Sequence, residues 1–376
     1  MAAGFILKRR LGAGQFGEVW LAFDSALAID RAVKLVPPSK VQSEERFFEE
    51  AQVLKSVTHD NIVCVEDAGR MEDGRLYIAM EYLPKGSVED EARGAPMAMT
   101  RAMRLTCDAL RALERVHELG VLHRDIKAAN ILVGNCLEGK LSDFGLATRT
   151  EAEGVASPQG YLYQAAPEIV RGDAASQQTD VYAAGVTLYR LVNGDDHLPS
   201  LGTAAAYASA ISDGEFPDRK RYRLYVPRSL KLVINKAMHP DPTRRYLSAK
   251  AFRNALGQVR IKCDWHEEPT ATGTRWIGAC EGLTLMVEMT LALQGRVNVS
   301  TSKRRQGRTW RNVSEGSRNG MRMAEGRRFA ARILSKCASE GRLASGPAQS
   351  PGRVRQRSAQ ASPRPSRPEG RRMSHS

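Results

Sequence analysis

Five short motifs follow one another in the first 168 residues, and their order and spacing leave few architectures open to the chain. They are GAGQFGEV at 12–19, AVK at 32–34, HRDIKAAN at 123–130, DFG at 143–145 and APE at 166–168. Any one of them could arise by chance, but five in this order effectively could not. Glycines, a lysine and several acidic or amide side chains must therefore be brought together by one fold.

The glycine motif predicts a phosphate-covering turn. Glycine has no Cβ, so backbone amides can approach phosphate oxygens closely. A dinucleotide-binding turn of this kind needs a helix directly after the glycines. Residues 18–22 instead have the character of a strand, as do most residues of 5–36. We therefore predict a hairpin that covers a nucleotide.

Lys34 stands at the end of a predicted strand. A lysine there needs an anion, which nucleotide phosphates and a carboxylate can supply. Glu50, on a helix predicted over Ser43–Val57, is the expected carboxylate, and Glu49 is the alternative. The competing interpretation is an edge lysine whose aliphatic stem covers apolar surface while its ammonium reaches water.

The order of elements predicts an α+β fold with two lobes. Strands dominate residues 1–82, where Asp73-Gly74 signals a hairpin turn, and helices dominate 86–257. The clearest apolar periodicities predict helices over Ala98–Leu119, Thr179–Val192 and Leu230–Met238. A strand-rich lobe followed by a helical lobe places a cleft between the two.

In order and spacing, the five motifs resemble the signature set of eukaryotic-like (Hanks-type) serine/threonine protein kinases. The resemblance extends to Asp180, Gly185 and Arg245, and so covers about residues 1–257. It implies the bilobal protein-kinase fold. It also implies phosphoryl transfer from ATP, with Mg²⁺, to hydroxyl groups of protein substrates.

The resemblance also implies roles for individual residues. ATP would be covered by the glycine segment, formed by Leu11, Gly12, Ala13, Gly14, Gln15, Phe16, Gly17, Glu18 and Val19. Lys34 would hold the α- and β-phosphates and be fixed by Glu50. Adenine would meet a hinge, with Met80 as gatekeeper and Glu81 to Leu83 as the hinge residues. Asn130 and Asp143 would bind Mg²⁺, which prefers oxygen ligands.

Four further residues are expected to act in phosphoryl transfer or in shaping the substrate site. Asp125 would orient the substrate hydroxyl, and Lys127 would offset charge on the γ-phosphate. Glu168 and Arg245 would form a buried ion pair beneath the substrate-binding segment. Tyr161 stands where such kinases usually carry threonine, a departure that concerns the substrate pocket and not ATP or metal binding.

Arg124, directly before Asp125, suggests control by phosphorylation. In kinases of this type such an arginine helps to bind a phosphate on the activation segment, here Asp143–Glu168. The candidate acceptors are Thr148, Thr150 and Ser157.

The C-terminal part of the chain carries the positive charge. Residues 296–376 contain 20 Lys and Arg against 4 Asp and Glu, which leaves a net charge of −2 for residues 1–295 of a chain whose total is +14. We predict a small α+β module over 262–338, with strands at Thr284–Leu293 and Val297–Thr301 and a basic helix at Met321–Cys337. A disordered basic tail is expected over 339–376.

The basic region 296–376 has two interpretations. One is a docking appendage for substrates or partners, with the positive charge on a solvated face. The other is binding to nucleic acid or another anionic partner, with Trp310 available for stacking. The tail, which has arginines ahead of serines, could be an autophosphorylation target or tether, or merely disordered.

Cysteine use and hydropathy set further expectations. The six cysteines form no C-x-x-C pair, so free or buried thiols in a reducing compartment are expected. No apolar run reaches membrane-spanning length, and a cytoplasmic protein is expected. A pseudokinase and a small-molecule phosphotransferase are the rival functions, but Lys34, Asp125 and Asp143 argue against the first. The sequence does not indicate an oligomeric state.

Overall fold

The computed structural model describes residues 4–14, 17–41, 43–143 and 162–341. The first lobe is an antiparallel sheet of five strands with one helix. Its strands are β1 (Phe5–Gly14), β2 (Gly17–Asp24), β3 (Ile29–Val36), β4 (Val65–Arg70) and β5 (Leu76–Glu81), and its helix is α1 (Glu44–Ser56). The strand order is β1-β2-β3-β5-β4.

The glycine motif forms the predicted hairpin between two strands. Gly14 pairs with Gly17 at the end of the β1–β2 ladder. Gly17 has a φ of 144°, and a Cβ at this position would collide with the carbonyl oxygen of Leu35. Only glycine therefore fits where the hairpin passes over β3. The Asp73-Gly74 turn between β4 and β5 is likewise confirmed, and Gly74 has a φ of 85°.

Helices dominate the second lobe. They are α2 (Val88–Ala92), α3 (Met99–Glu118), α4 (Pro167–Val170), α5 (Gln177–Asn193), α6 (Ala204–Ser212), α7 (Arg228–Ala237) and α8 (Ala249–Gly257), and a short hairpin is formed by β6 (Ile131–Val133) and β7 (Gly139–Leu141). The three helices predicted from periodicity are present, with ends shifted by one to two residues. Helix α5 is buried along most of its length. A Cβ on Gly185 would lie 2.8 Å from the Cβ of Ala237, so this glycine lets α5 and α7 approach closely.

The C-terminal part forms a second antiparallel sheet with a helix on one face. Its strands are β8 (Cys263–Thr270), β9 (Gly273–Cys280), β10 (Leu283–Leu291), β11 (Arg296–Arg304), β12 (Arg311–Asn312) and β13 (Arg318–Arg322), and its helix is α9 (Met323–Glu340). The strands follow the order β12-β11-β10-β9-β8, and β13 also pairs with β11. The indole of Trp265 donates to the carbonyl oxygen of Leu334 at 3.1 Å and so joins the sheet to α9.

Strand β8 joins this sheet to the helical lobe. The Asp264 carboxylate accepts hydrogen bonds from the backbone N–H and the hydroxyl of Thr100, at the start of α3. The Glu267 carboxylate pairs with Arg223 at 2.9 Å. The hydrophobic core also continues from the helical lobe through Val259 and Trp265 into the sheet. The sheet is therefore packed against the lobe rather than hung on a linker.

Three expectations for the C-terminal part need correction. Cys263 and Cys280 form a disulfide, whereas buried or free thiols were expected. The two residues face each other in the β8–β9 ladder, and this register could not be read from their separation of 17 residues. Helix α9 begins at Met323 because residues 318–322 pair as β13, and it continues to Glu340. The predicted tail therefore starts two residues too early, and 342–376 lies outside the described residues.

Within the ranges that the structure describes, no helix combines the length and the apolar character needed to cross a bilayer.

Candidate active site

The segment 123–130 gathers three polar side chains between α3 and β6. The Lys127 ammonium lies 2.9 Å from Oδ2 of Asp125. Asn130 donates from Nδ2 to the same carboxylate oxygen at 2.9 Å and to the backbone oxygen of Asp125 at 2.8 Å. Two donors thus fix the Asp125 carboxylate, and its other oxygen, Oδ1, is left to accept a proton or a hydrogen bond.

Lys34 reaches from β3 to the first residue of the DFG motif, two residues after the end of β7. Its ammonium lies 2.7 Å from Oδ1 of Asp143. Burial by itself raises the pKa of the Asp143 carboxyl, but the Lys34 ammonium lowers it more, so the pKa lies below its ordinary value of 3.8. Asp143 is therefore ionised at neutral pH. Its φ of 57° is a backbone conformation that non-glycine residues rarely adopt, and such strain is common at functional sites.

His123 and Ser142 connect these two groups. Nδ1 of His123 accepts from the backbone N–H of Asp125 at 3.3 Å, so Nε2 carries the proton and donates to the carbonyl oxygen of Ser142 at 2.9 Å. The backbone N–H of Ser142 donates to the carbonyl oxygen of Asn130 at 2.9 Å. Burial lowers the pKa of His123, in keeping with a neutral ring. The segment 123–130 and Asp143 are therefore held in one network.

Asp180 supports this network from α5. Its carboxylate accepts the backbone N–H groups of His123 at 2.9 Å and Arg124 at 2.8 Å, and it meets Nε2 of His117 at 2.8 Å. Arg124 has a φ of 65°, which the two backbone hydrogen bonds to Asp180 stabilise. The sequence did not assign this role to Asp180 or His117. The available signal was that the family resemblance extends to Asp180.

The predicted hinge lies at the end of β5. Met80 faces Ala32 in the β3–β5 ladder. The Glu81 carboxylate is held by Lys140 at 2.8 Å and by the backbone N–H of Cys64 at 2.8 Å. Leu83 is buried where the chain enters the second lobe. The Glu81 side chain is therefore occupied by contacts within the protein.

Glu168 and Arg245 form a buried, doubly bonded ion pair. Nη1 of Arg245 lies 2.6 Å from Oε1, and Nη2 lies 2.7 Å from Oε2. Thr179 also donates to the carboxylate, at 3.0 Å. Burial alone raises the pKa of Glu168, but Arg245 prevails and the pKa lies below its ordinary value. The two side chains are brought together across 77 residues of sequence, as predicted.

Several residues predicted to belong to the site lie outside the described residues or on the first two strands. Gln15, Phe16, Thr148, Thr150, Ser157 and Tyr161 fall in segments outside the described residues, and so does the side chain of Glu50. Leu11, Gly12, Ala13 and Gly14 lie on β1, and Gly17, Glu18 and Val19 lie on β2. The Glu18 carboxylate accepts from the indole of Trp20 at 3.0 Å and is therefore already occupied.

Comparison with known proteins identifies the family of this chain. Residues 5–255 match the family model described as a protein kinase domain. The chain belongs to the protein kinase family. This kinase domain is 35% identical over 266 residues to serine/threonine-protein kinase PknJ of Mycobacterium tuberculosis, covering 67% of this chain and 45% of the relative. It is 32% identical over 250 residues to serine/threonine-protein kinase PrkC of Bacillus subtilis, covering 64% and 38%.

A solved structure shows the same fold for the kinase domain. The kinase domain of Mycobacterium tuberculosis PknI superposes with a TM-score of 0.51 at 24% identity, covering 69% of this chain and 97% of that one. At this level of identity the likeness concerns the fold alone. The chain spans less than half the length of the curated relatives PknJ and PrkC.

Proposed function

We propose that the chain is an ATP- and Mg²⁺-dependent protein serine/threonine kinase, which transfers the γ-phosphoryl group of ATP to hydroxyl groups of protein substrates. The observation that carries the proposal is the single network that joins Lys127, Asp125 and Asn130 to Asp143 and Lys34. Phosphoryl transfer depends on positioning and charge neutralisation more than on covalent help, and this network provides both.

Lys34 and the glycine hairpin are the proposed binding elements for the ATP phosphates. Lys34 is a cation at the inner end of the cleft, and the hairpin ends directly above its strand. The backbone of Glu81 and Leu83 is the proposed contact for adenine. When a nucleotide enters, its phosphates compete with Asp143 for Lys34, and Glu50 is the proposed second partner of the lysine.

The residues fit a magnesium site. Asp143 is an ionised carboxylate, and Asn130 uses its Nδ2 toward Asp125, which leaves its amide oxygen for a cation. Within the described residues no group of three or more His, Cys, Asp or Glu could hold a metal by itself. This suits Mg²⁺, which binds one or two protein oxygens together with substrate phosphates. When bound, Mg²⁺ neutralises charge that develops on the phosphates.

Asp125 is the proposed hydroxyl-orienting residue. Its carboxylate is fixed on one oxygen by Lys127 and Asn130, so the other oxygen can accept the proton of a substrate hydroxyl. Lys127, at 2.9 Å, forms an ion pair with Asp125 and places a positive charge beside the transferred group. Arg124 is exposed next to this site, which suits a role in binding a phosphate on the segment that carries Thr148, Thr150 and Ser157.

The experiment compares wild-type protein with Asp125→Asn, using labelled ATP, Mg²⁺ and a generic protein substrate. We expect labelled phosphoserine or phosphothreonine from the wild type and a rate lower by about 10²- to 10⁴-fold in the variant. Asp173→Asn, an exposed carboxylate of the same lobe, is the matched control and should keep its rate. Equal rates for Asp125→Asn and wild type would exclude this function. Nucleotide binding without phosphoryl transfer would indicate a pseudokinase. Label found only on small molecules would indicate a small-molecule phosphotransferase.

The remaining expectations stay proposals. We assign residues 1–257 to catalysis, 262–338 to an accessory module and the region beyond it to a basic tail. A cytoplasmic location, autophosphorylation of the activation segment and an anionic partner for 296–376 are predictions as well. Arg304 already lies over the Trp310 ring, 4.5 Å from its centroid, and so covers one face that stacking on a base would need. Mass spectrometry of active protein that finds Thr148, Thr150 and Ser157 unmodified would remove the autophosphorylation proposal.

A further inference from the structure

A cavity of about 700 Å³ opens on the second lobe, away from the catalytic network. Its walls are the loop after α6, which carries Gly214 to Lys220, one side of α7, and the turn that holds Arg244. None of the residues assigned to catalysis or ATP binding lines it. The cavity is therefore separate from the proposed catalytic and ATP-binding site.

Positive charge predominates among the side chains that line the cavity. Arg219, Lys220, Lys236 and Arg244 line the cavity together with two carboxylates, those of Glu215 and Asp218. Among the described residues, none of these four cations lies within ion-pair distance of a carboxylate, although the same lobe pairs many of its other arginines. An excess of cations over carboxylates in one cavity, with none of the four cations held in an ion pair among the described residues, attracts an anion.

The walls of the cavity are held in place by hydrogen bonds. Asn235 of α7 donates to the backbone oxygen of Arg219 at 2.9 Å, and the guanidinium of Arg219 donates to the carbonyl oxygen of Gly214 at 3.1 Å. The Lys236 ammonium lies 4.7 Å from the centroid of the Tyr246 ring, which orients it without neutralising it. The site is thus formed before a ligand arrives, which lowers the entropic cost of binding.

We propose that this cavity binds the phosphate group of a phosphorylated peptide. A phosphomonoester carries about two negative charges and accepts several hydrogen bonds, so it suits convergent Arg and Lys side chains. Leu232, which is 58% exposed on the rim, offers an apolar contact to a neighbouring peptide side chain. Glu215 and Asp218 can accept hydrogen bonds from peptide N–H groups.

The same features disfavour nucleic acid as the ligand. No Phe, Tyr or Trp lines the cavity, so a base has no aromatic surface on which to stack. Two carboxylates beside the cations would repel a continuous run of phosphates, whereas they leave room for a single phosphate group. The mixed charge therefore favours one phosphate on a peptide.

The cavity wall is also tied to the Glu168–Arg245 pair. Nε of Arg245 donates to the carbonyl oxygen of His239, a lining residue, at 2.6 Å. Arg244 directly precedes Arg245 in the chain. A phosphate held by Arg244 would therefore stabilise the turn that positions Arg245. The binding site itself does not depend on the catalytic activity proposed above.

Fluorescence anisotropy on the full chain without nucleotide tests the proposal. The probe is a labelled nine-residue acidic peptide with one phosphoserine, and its unphosphorylated twin is the reference. We expect the phosphopeptide to bind at least tenfold more tightly than its twin, and inorganic phosphate at millimolar concentration to displace it. Equal affinity for the two peptides would overturn the proposal, and this comparison needs no variant.

Variants then locate the site. Lys236→Gln and Arg244→Gln should each weaken phosphopeptide binding by about fivefold, as expected for loss of one exposed charge contact. Arg228 is an exposed cation on α7 outside the cavity, and Arg228→Gln should leave the phosphopeptide affinity unchanged. Equal weakening by all three would mean that the chain attracts anions non-specifically. Stronger competition from duplex DNA than from the phosphopeptide would assign the surface to nucleic acid instead.

Discussion

At the scale of single residues, the buried Glu168–Arg245 pair makes the sharpest stability prediction. The Arg245 side chain is fully buried and Glu168 is nearly so. Replacing Glu168 by Gln leaves the guanidinium uncompensated, so we expect the free energy of unfolding to fall by about 3–5 kcal/mol. Urea denaturation measures this. Glu118 forms an exposed ion pair with Arg115, and Glu118→Gln should change the free energy of unfolding by less than about 1 kcal/mol.

The same pair predicts a pH dependence. The pKa of Glu168 is lower in the folded chain than in the unfolded chain, because Arg245 stabilises its charged form. Its contribution is therefore complete above the unfolded value of about 4.3 and is lost as pH falls through the folded value. The stability difference between wild type and Glu168→Gln should shrink as the pH falls below about 4. A difference that grows on acidification would contradict the assignment.

At the scale of elements, Asp264 acts as a cap for a helix to which it does not belong. The N-cap residue of α3 is Ala98, which offers no side-chain acceptor, and the Asp264 carboxylate accepts the backbone N–H of Thr100 at 3.2 Å. Asp264→Asn should cost about 0.3–1 kcal/mol, because the amide keeps an acceptor oxygen but loses the negative charge that interacts with the helix dipole.

Two measurements isolate this cap. Hydrogen exchange should quicken at the Thr100 amide in Asp264→Asn but stay unchanged in Glu281→Gln, an exposed acid of the same sheet. A double-mutant cycle with Thr100→Ala should show that the two side chains are coupled. Independent, additive effects would mean that the contact does not stabilise α3.

The helices and turns were largely predictable from the sequence, whereas the contacts between distant elements were not. Helix α3 repeats apolar residues at helical spacing, and the Asp73-Gly74 turn needs one glycine, so local sequence is enough for both. Asp180 with His123, and Asp264 with Thr100, are contacts between distant parts of the chain that periodicity cannot indicate. The Cys263–Cys280 pairing likewise depends on a strand register that the sequence alone did not reveal. Within the cleft, the motifs predicted that Lys34, Asp125, Asn130 and Asp143 lie close together. They did not predict the Lys34–Asp143 ion pair or the support from Asp180 and His117.

At the scale of the whole molecule, the C-terminal sheet contributes a carboxylate that pairs with a buried arginine of the helical lobe. Arg223 is buried between Asp196, at 2.7 Å, and Glu267 of β8, at 2.9 Å. Glu267 also accepts from the Trp276 indole at 2.8 Å. A chain that ends at residue 258 would lose this carboxylate, and it would lose Val259 and Trp265, which pack into the core of the helical lobe.

We therefore expect a chain of residues 1–258 to unfold at lower urea concentration than one of 1–341. In the full chain, Glu267→Gln should destabilise by about 1–3 kcal/mol, since it weakens the compensation of a buried guanidinium. A double-mutant cycle with Arg223→Gln should yield a coupling energy of similar size. Equal stability of the long and short chains would show that the catalytic lobe does not need the sheet.

The claim on which the account rests is that Lys34, Asp143, Asn130 and Asp125 form one nucleotide-phosphate site. Calorimetric titration with a non-hydrolysable ATP analogue, with and without Mg²⁺, tests it most directly. We predict one nucleotide bound per chain, affinity that rises with Mg²⁺ in the wild type, and loss of that magnesium dependence in Asp143→Asn. Nucleotide affinity that is unaffected by both Mg²⁺ and Asp143→Asn would contradict the account.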